Sequence, residues 1–407
     1  MRIVVVGAGP AGLMCAVKCS ENFNNEVLIL DGNEKIGKKL FITGKGRCNV
    51  CNSCDIDEFL KNVVNNNKFL YNSINLFSPA DTITFFENNG TPLKIERGNR
   101  VFPVSDKSND IIKTFQKILK KKNVSIILNS LVNKISKEGN VFKVYTNNDV
   151  INCDVVVIAT GGKSYSSTGS KGDGYMFAKT LSHSVNKIYP ALIPINLKDY
   201  DSSLAGLSLK NVTASINIQN KRYSQFGEML FTHKGVSGPI ILTLSSYINK
   251  YDIKNSELII DLKPALSEEK LEERIIRDCK NFKNKSLKNY LRELLPSTLI
   301  DFFAKKLCCN IEVKMCNLTR DIRKKIVLTL KNLSFLVDSL EDIEYAIVTS
   351  GGVNVREINP KNMESKLVKN LFFIGEVLDI DALTGGFNIQ IALSTGFCAG
   401  SYLKNAI

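Results

Sequence analysis

The sequence predicts an α/β fold in which a parallel sheet, covered by helices on both faces, is interrupted by a long insertion. A short β-branched strand at residues 2–6 runs directly into a glycine-rich turn and then a helix. Two later apolar runs, 154–159 and 371–375, are continuous, as in strands that are buried on both faces. Between them, from about Pro190, the pattern changes to alternating strands and then to helices. We therefore expect a split α/β domain with an insertion near 190–345.

The first turn has the spacing of a dinucleotide-binding βαβ unit. Gly7, Gly9 and Gly12 separate the strand from the helix, and a second strand ends at Asp31. In such units the first glycine allows the tight turn, the second lets the backbone approach a diphosphate, and the third lets the helix pack on the strand. The helix N-terminus then faces the diphosphate, and the acid accepts hydrogen bonds from a ribose. The alternative is a glycine-rich turn that binds no ligand.

Length and cysteine content describe an ordinary globular chain. Its 407 residues are enough for two or three domains, and its 11 cysteines are an odd number. No apolar run reaches the length of a membrane span. Residues 1–17 have the basic start and apolar middle of a signal peptide, but cleavage would remove the predicted nucleotide site. We therefore expect reduced thiols, a cytoplasmic location and no membrane partner.

The formal net charge of +14 leaves three explanations open: a nucleic-acid partner, an anionic substrate, or a lysine-rich composition. The lysines are scattered, and the densest run, Lys120 to Lys122, lies at the end of a predicted helix, where cations suit the helix dipole. The chain has no tryptophan and no ladder of basic and aromatic residues. We therefore favour composition and do not expect a nucleic-acid partner.

Glycine-rich turns recur at 7–12, 160–162 and 385–386, and we place all three at strand ends. In a doubly wound sheet such turns gather at the carboxyl edge, where ligands bind. One turn serves an ADP moiety, so the others would hold something longer. Glu376 would serve a ribityl chain, and the helix after Gly386 would stabilise negative charge on a reduced flavin.

Motifs along nearly the whole chain resemble one flavoprotein family, typified by aminoacetone oxidase and the bile-acid Δ4-reductase. The motifs occur at 38–49, 99–105, 159–165, 168–174, 230–239, 351–353, 375–379 and 384–390. Asp31 stands where the family usually has Glu, and Cys51 where it has Thr. The resemblance implies FAD, a glutathione-reductase-like Rossmann domain with an inserted β-barrel domain, and a small helical subdomain. It places the FAD domain at 1–189 and 348–407, the barrel at 190–265 and 334–347, and the helical subdomain at 266–333.

The resemblance also implies cofactor contacts. Gly9, Pro10, Ala11 and Gly12 would hold the pyrophosphate, and Asp31 the adenosine ribose. The adenine side would be closed by Val132, Thr160, Gly161 and Gly162. The ribityl chain and the ring would lie along Lys39, Gly46, Arg47, Cys48, Asn49, Gly375, Glu376, Gly386, Phe387, Asn388, Ile389 and Gln390.

Three side chains are candidates for catalysis. His233 would act as an acid or base facing the flavin, or else only order its loop by a hydrogen bond. Arg47 would steady an anionic flavin or substrate, or else contact a phosphate. Tyr165 is a weaker proton-donor candidate. His183 follows a helix and is expected to be structural.

The cysteines admit a metal interpretation that we do not favour. Cys48, Cys51 and Cys54 have a C-x₂-C-x₂-C spacing that suits an iron–sulfur cluster, but a fourth ligand would have to come from far along the chain. We therefore predict no metal site. Cys308, Cys309 and Cys316 are expected to pack in the core.

The predicted function is an FAD-dependent oxidoreductase that transfers a hydride through flavin N5 to or from a small or planar organic substrate. No second strand–GxGxxG–helix unit is present, since Gly169 to Gly174 has the wrong order. NAD(P)H, as electron donor, would therefore dock transiently. Alternatives are an oxidase that passes electrons from an amine to O₂, an RNA-binding flavoprotein that modifies tRNA, and a redox sensor that uses Cys48.

Overall fold

The computed structural model describes residues 1–122, 124–198 and 200–406. The chain divides into two compact units, the first Met1–Ala191 with Asp342–Ile407 and the second Leu192–Glu341. These boundaries lie close to the predicted ends of the insertion. Each unit is described by itself below.

The elements follow one another in chain order as short strands and helices. The strands are β1 Arg2–Val6, β2 Glu26–Leu30, β3 Cys51–Asn52, β4 Leu93–Glu96, β5 Arg100–Pro103, β6 Ser125–Ile127, β7 Val132–Glu138, β8 Val141–Thr146, β9 Val150–Cys153, β10 Val155–Ile158, β11 Tyr189–Ala191, β12 Ile195–Leu197, β13 Ser208–Ile218, β14 Lys221–Phe231, β15 Gly235–Ser237, β16 Glu257–Asp261, β17 Leu333–Leu340, β18 Val348–Ser350 and β19 Leu371–Phe373. The helices are α1 Pro10–Cys19, α2 Lys38–Ile42, α3 Ile56–Lys61, α4 Tyr71–Leu76, α5 Pro79–Asn88, α6 Ser108–Lys121, α7 Asp173–Thr180, α8 Pro239–Ile248, α9 Glu268–Asn281, α10 Leu287–Leu291, α11 Ser297–Leu307, α12 Arg320–Lys331 and α13 Phe387–Asn405.

The first unit is built on a five-stranded sheet in the order β19-β10-β1-β2-β6. All four pairings are parallel, with Ile3 opposite both Val27 and Val155. The β1 strand is central and Ile3 is fully buried, which explains its continuous β-branched sequence. The carboxyl ends of β1, β2, β10 and β19 therefore meet at one edge. The predicted α/β class and Rossmann domain are confirmed.

Helices α1 and α13 lie in direct contact because α13 carries glycines on the facing side. A Cβ on Gly396 would lie 2.3 Å from the Ala11 carbonyl oxygen, and one on Gly400 would lie 2.6 Å from that of Cys15. Only glycine allows the two backbones to come this close. The C-terminal helix is thereby fixed against the helix that opens the nucleotide-binding turn.

The second unit is a closed six-stranded barrel in the order β12-β15-β14-β13-β16-β17. Helices α9 to α12 are inserted between β16 and β17. Barrel residues such as Ile216 and Leu258 belong to the same hydrophobic core as Leu271 and Phe303 of the helices. The inserted barrel with its helices matches the predicted fold class, and the helices share the barrel's core rather than forming one of their own.

Two details differ from the sequence-based expectations. Gly385 and Gly386 do not follow a strand but cap the start of α13, so only the turns after β1 and β10 fit the predicted placement. Lys38 begins a short helix instead of lying in a polar turn. Throughout the described ranges, we find no helix whose length and apolar character would let it cross a membrane.

Candidate functional site

The three glycines of the first turn have different surroundings. A Cβ on Gly7, whose φ is +110°, would lie 2.4 Å from the Ala159 oxygen, and one on Gly12 would lie 2.1 Å from the Gly7 oxygen. A Cβ on Gly9 would meet no atom within 4 Å. The space beside Gly9, at the N-terminus of α1, is therefore open where a diphosphate would lie.

Asp31 is held in place at the end of β2. One carboxylate oxygen accepts a hydrogen bond from the Ala8 N–H at 2.7 Å, and the other accepts one from the Asn33 N–H at 2.8 Å. A carboxylate oxygen can accept more than one hydrogen bond, so Asp31 keeps capacity for a ribose hydroxyl. The predicted ribose contact thus has a fixed acceptor, and it stays a prediction.

Four residues distant in sequence form a group that we call the carboxyl-edge network: Lys39, Ser164, Thr349 and Glu376. The Lys39 ammonium lies 2.8 Å from the Ser164 hydroxyl and 2.9 Å from a Glu376 oxygen. The Thr349 N–H donates to the other Glu376 oxygen at 3.0 Å. Lys39 and Glu376 are 24% and 21% exposed, so water screens the pair only in part.

The turn after β10 lies against this network. A Cβ on Gly162 would be 2.4 Å from the Thr349 hydroxyl, and one on Gly161 would be 3.8 Å from a Glu376 oxygen. The structure therefore brings together three of the predicted cofactor segments, around Lys39, Gly161 and Glu376. Direct contact of Lys39 and Glu376 with a ribityl chain stays a prediction.

The glycine loop 44–49 follows α2 with an unusual backbone. Lys45 and Cys48 have φ values of +58° and +60°, and a Cβ on Gly46 would meet no atom within 4 Å. The Gly46 carbonyl oxygen accepts a hydrogen bond from the Ser108 N–H at 2.8 Å. The loop therefore presents open backbone while it is tied to α6.

Two predicted cofactor residues carry buried polar atoms that no described residue satisfies. They are the side-chain amide oxygen of Asn49 and the hydroxyl of Thr160. Because a buried polar atom without a partner is costly, such atoms indicate a missing ligand or water. Together with the open space at Gly9 and Gly46, they fit the extended polar coenzyme that the sequence predicts.

Arg47 is engaged with protein carboxylates. Its guanidinium donates to Glu96 and Asp106 and lies 4.2 Å from the centre of the Phe102 ring. These hydrogen bonds raise the pKa of Arg47 and hold the pKa of Glu96 below its usual range. Lys94 also pairs with Asp106, at 2.7 Å, so the cluster of two cations and two anions is neutral. The predicted role of Arg47 towards an anionic flavin stays a prediction. The positive charge of Arg47 is already balanced by the carboxylates of this cluster.

The start of α13 uses most of its predicted side chains to hold the protein together. The Asn388 amide donates to the Ala382 carbonyl oxygen at 2.7 Å. Gln390 is fully buried and accepts a hydrogen bond from the Thr82 hydroxyl at 2.8 Å. Phe387 packs edge-on against Phe59, with ring centres 5.3 Å apart. What α13 offers a cofactor is therefore its N-terminal backbone, with Ile389 half-buried beside it.

Gly375 follows β19 of the five-stranded sheet, and Val132 lies in a separate three-stranded sheet, β7-β8-β9. A Cβ on Gly375 would be 2.8 Å from the Ala11 Cβ, so the turn after β19 contacts α1. Val132 opens β7 and is 5% exposed. Their predicted contacts with the ribityl chain and the adenine stay predictions.

The two histidines have opposite environments. His233 lies in the β14–β15 turn of the second unit and is exposed. Thr232 closes that turn through the Gly235 N–H, which donates to its hydroxyl at 3.2 Å, and the His233 side chain makes no hydrogen bond to a described residue. His183 is buried, its Nε2 lies 2.7 Å from the Ser365 hydroxyl, and burial lowers its pKa. His233 thus remains a candidate acid or base, and His183 is packed as expected.

Tyr165 adopts a left-handed conformation after the 160–162 turn, with a φ of +53°. Its carbonyl oxygen accepts hydrogen bonds from the Thr168 N–H and hydroxyl. The side chain is half-buried. It stays a proton-donor candidate.

Sequence reasoning missed three polar residues of this region. Ser164 and Thr349 belong to the carboxyl-edge network, and Asp379 accepts a hydrogen bond from the Asn186 amide at 2.7 Å. The second oxygen of buried Asp379 has no partner among the described residues. Ser164 and Asp379 both lie inside recognised motifs, so their position was a usable signal. Thr349 lies outside these motifs, so no sequence signal pointed to it.

The cysteines differ in burial and in the pKa of their thiols. Burial raises the pKa of Cys48 to about 12 and that of Cys54 to about 11, which disfavours the thiolate form that a cluster ligand requires. Across the described residues, no group of three or more His, Cys, Asp or Glu is arranged to hold a metal. The core-packing prediction is wrong for Cys308 and Cys316, which are exposed because they follow a helix end and lie in a surface turn.

A family model described as the HI0933-like protein Rossmann domain matches residues 1–402. The chain belongs to this family. It is 26% identical to the 3-dehydro-bile acid delta(4,6)-reductase of Clostridium scindens over 98% of both chains. It is 29% identical to the ribosomal RNA dihydrouridine synthase of Haemophilus influenzae over 97% of both, and 29% identical to that of Escherichia coli over 97% of this chain and 96% of the other.

Solved structures share the fold of this HI0933-like chain. A 3-ketosteroid delta1-dehydrogenase from Sterolibacterium denitrificans superposes with a TM-score of 0.53 at 11% identity and covers 99% of both chains. A flavocytochrome c3 fumarate reductase gives a TM-score of 0.51 at 17% identity, over 99% of this chain and 78% of the other. The family resemblance is confirmed, and the protein is an FAD-dependent oxidoreductase.

Proposed function

We propose that this protein is an NAD(P)H-linked reductase that saturates a carbon–carbon double bond conjugated to a carbonyl group. The observation that carries the proposal is that the names of two kinds of relative imply substrates with the same type of reducible bond. By name, one is a delta(4,6)-reductase of a 3-dehydro bile acid, and the other makes dihydrouridine in ribosomal RNA. A 3-oxo-Δ4 ring and a uracil ring both contain a C=C bond conjugated to a C=O group.

The residues of this chain would bind and orient the reactants. Bound FAD would supply hydride transfer through its N5 position. The open backbone at Gly9 would receive the diphosphate and Asp31 the ribose. The carboxyl-edge network would present a preformed, neutral ion pair to the ribityl side, so that binding requires little rearrangement.

The reaction consumes one hydride from NAD(P)H and one proton, and yields the saturated carbonyl compound and NAD(P)⁺. We propose that NAD(P)H docks transiently and that Tyr165 or His233 delivers the proton. The Tyr165 hydroxyl and the His233 imidazole make no hydrogen bond to a described residue, whereas Arg47 is bonded to two carboxylates. A cytoplasmic location, where NAD(P)H is available, is part of this proposal.

Two substrate classes fit the bond type. The first is a small planar enone, as in the bile-acid relative. The second is uridine in ribosomal RNA, which is favoured by two relatives that are 29% identical over nearly the whole chain and by the net charge of +14. This second candidate reopens the nucleic-acid hypothesis that the scattered lysines disfavoured.

Anaerobic titration of the purified yellow protein with NADH and NADPH tests the proposal. We expect rapid loss of the flavin absorbance with one of the two, and its return when a 3-oxo-Δ4 steroid acid or protein-free ribosomal RNA is added. Absence of bleaching by both nucleotides, with peroxide produced from an amine such as aminoacetone in air, would instead establish the oxidase alternative.

A further inference from the structure

The excess of positive charge in the second unit lies in one stretch of its helices. Residues 279–325 contain 12 basic and 4 acidic residues, whereas the preceding stretch 266–278 contains 3 basic and 5 acidic residues. In the rest of the unit, 192–265 and 326–341, the numbers are nearly equal, at 9 and 8. Within the second unit, the basic excess is therefore confined to this stretch.

Folding brings the parts of this stretch to one end of the helical layer. Helices α9 and α12 are antiparallel, because the Lys331 ammonium at the end of α12 reaches the Leu266 carbonyl oxygen just before α9, at 2.7 Å. At the opposite end, Cys279 near the end of α9 lies close to Arg323 of α12. Burial raises the pKa of the Cys279 thiol, and the positive charge of Arg323 lowers it. The Met315 N–H donates to the Lys285 carbonyl oxygen at 2.9 Å and joins the intervening segments there.

Six exposed cations at this end, which we call the basic end, have no acidic partner among the described residues. They are Lys280, Lys283, Lys314, Arg320, Lys324 and Lys325. Within the described ranges none of the six makes an ion pair. Other lysines of the same unit do pair: Lys331 lies 2.6 Å from Asp261, and Lys285 lies 3.1 Å from Glu293.

The placement of these cations works against local stability. Arg320, Lys324 and Lys325 lie in the first two turns of α12, whose first turn contains only one acid, Asp321. The N-terminus of a helix is its positive end, so cations there are unfavourable, and their mutual repulsion adds to the cost. Burial and capping do not explain these residues, but a polyanionic partner does.

We infer that the basic end docks the phosphate backbone of a folded RNA. This inference rests on the second substrate candidate of the proposed function, in which the reduced base lies in ribosomal RNA. A folded RNA fits better than a single strand because no aromatic residue of the described stretch 279–325 is exposed for base stacking. The ring of Phe282, next to Lys283, is half-buried and covered by the Lys285 ammonium at 4.4 Å from its centre.

The test compares two triple variants of the FAD-loaded protein that lose the same charge. The first is Lys283→Gln, Lys314→Gln and Lys324→Gln at the basic end. The control is Lys113→Gln, Lys117→Gln and Lys120→Gln, three exposed lysines on α6 of the first unit. Binding to protein-free bacterial ribosomal RNA is measured between 50 and 300 mM salt (roughly the range in which phosphate contacts weaken).

We expect the basic-end variant to bind RNA more than about tenfold more weakly and to reduce the slope of log K against log salt by about one for each lysine that contacts phosphate. The affinity of the control variant for RNA should stay within about twofold of that of the wild type. Both variants should keep the flavin spectrum and the rate of flavin bleaching by NADPH. Equal losses in the two variants, or no RNA binding by wild type at physiological salt, would overturn the inference.

The same data separate this inference from the proposed function. A wild type that reduces a small enone but binds no RNA would refute the docking surface and leave the reductase intact. If the wild type binds RNA through the basic end but its flavin is not reduced by NAD(P)H, the reductase proposal is refuted and the docking surface stands.

Discussion

The carboxyl-edge network and the basic end handle charge in opposite ways. In the network, Lys39 is paired with Glu376 and bonded to Ser164, and each partner is about a quarter exposed or less. At the basic end, Lys283 and its neighbours are exposed and have no acidic partner among the described residues. A cofactor that stays bound benefits from groups that are already fixed, because less ordering is required on binding. A partner that arrives and leaves is better served by exposed cations, which attract it over a distance.

The glycines of the first turn show how tightly the backbone of the cofactor region is packed. Space is filled at Gly7 and Gly12 and left open at Gly9. The six cations of the basic end have no comparable restraint, since their side chains are exposed. The contrast predicts that single changes are costly in the first region and tolerated in the second.

The largest effect is expected from the pair Gly12→Ala and Gly9→Ala. A Cβ at position 12 would lie 2.1 Å from a backbone oxygen, so Gly12→Ala should destabilise the FAD-free protein by about 3 kcal/mol or leave it insoluble. Gly9 has an extended backbone, φ −80° and ψ 179°, which alanine adopts freely. Gly9→Ala should therefore keep the stability within about 0.5 kcal/mol but weaken FAD binding by about tenfold or more.

Urea unfolding of the FAD-free protein and fluorescence titration with FAD measure the two quantities separately. If Gly9→Ala bound FAD as tightly as wild type, the diphosphate would not lie at the start of α1. If Gly12→Ala were as stable as wild type, the close helix–strand packing would be wrong.

The βαβ unit could be predicted from sequence because all of its signals are local. The strand, the glycines, the helix and Asp31 fall within 31 residues, and the turn chemistry fixes their arrangement. The parallel sheet followed from two further buried runs. Motif resemblance supplied the barrel, which periodicity alone did not.

The rest depended on contacts between residues far apart in sequence. Lys39 and Glu376 are 337 positions apart, and no local pattern pairs them. The basic end was missed because its lysines are spread thinly, and only the packing of α9 against α12 gathers them.

A smaller effect is expected when one cation is removed from each region. Lys39→Met leaves Glu376 partly buried without its ion-pair partner and should lower the free energy of unfolding by about 1–2 kcal/mol, after allowance for solvent screening. Lys283→Met removes an exposed, unpaired cation and should change it by less than about 0.5 kcal/mol.

Urea unfolding of the two FAD-free variants measures this difference, and the double variant Lys39→Met with Glu376→Gln serves as the control. The double variant should recover part of the loss, because the unpaired carboxylate is gone. Equal stabilities for Lys39→Met and Lys283→Met would show that the network contributes no more than a surface lysine.

The last prediction compares thiols of the two regions and involves no change in stability. Burial raises the pKa of Cys48 to about 12, so its thiol stays protonated at pH 7. Cys316, beside Lys314 in the basic end, is exposed. A maleimide at pH 7 should modify Cys316 within minutes and leave Cys48 intact until the protein unfolds, as followed by peptide mass spectrometry with Cys316→Ser as the control. Because a redox sensor needs a reachable thiolate, rapid labelling of Cys48 in the folded, yellow protein would restore that alternative. Protection of Cys48 would leave the flavin as the redox-active group of this region.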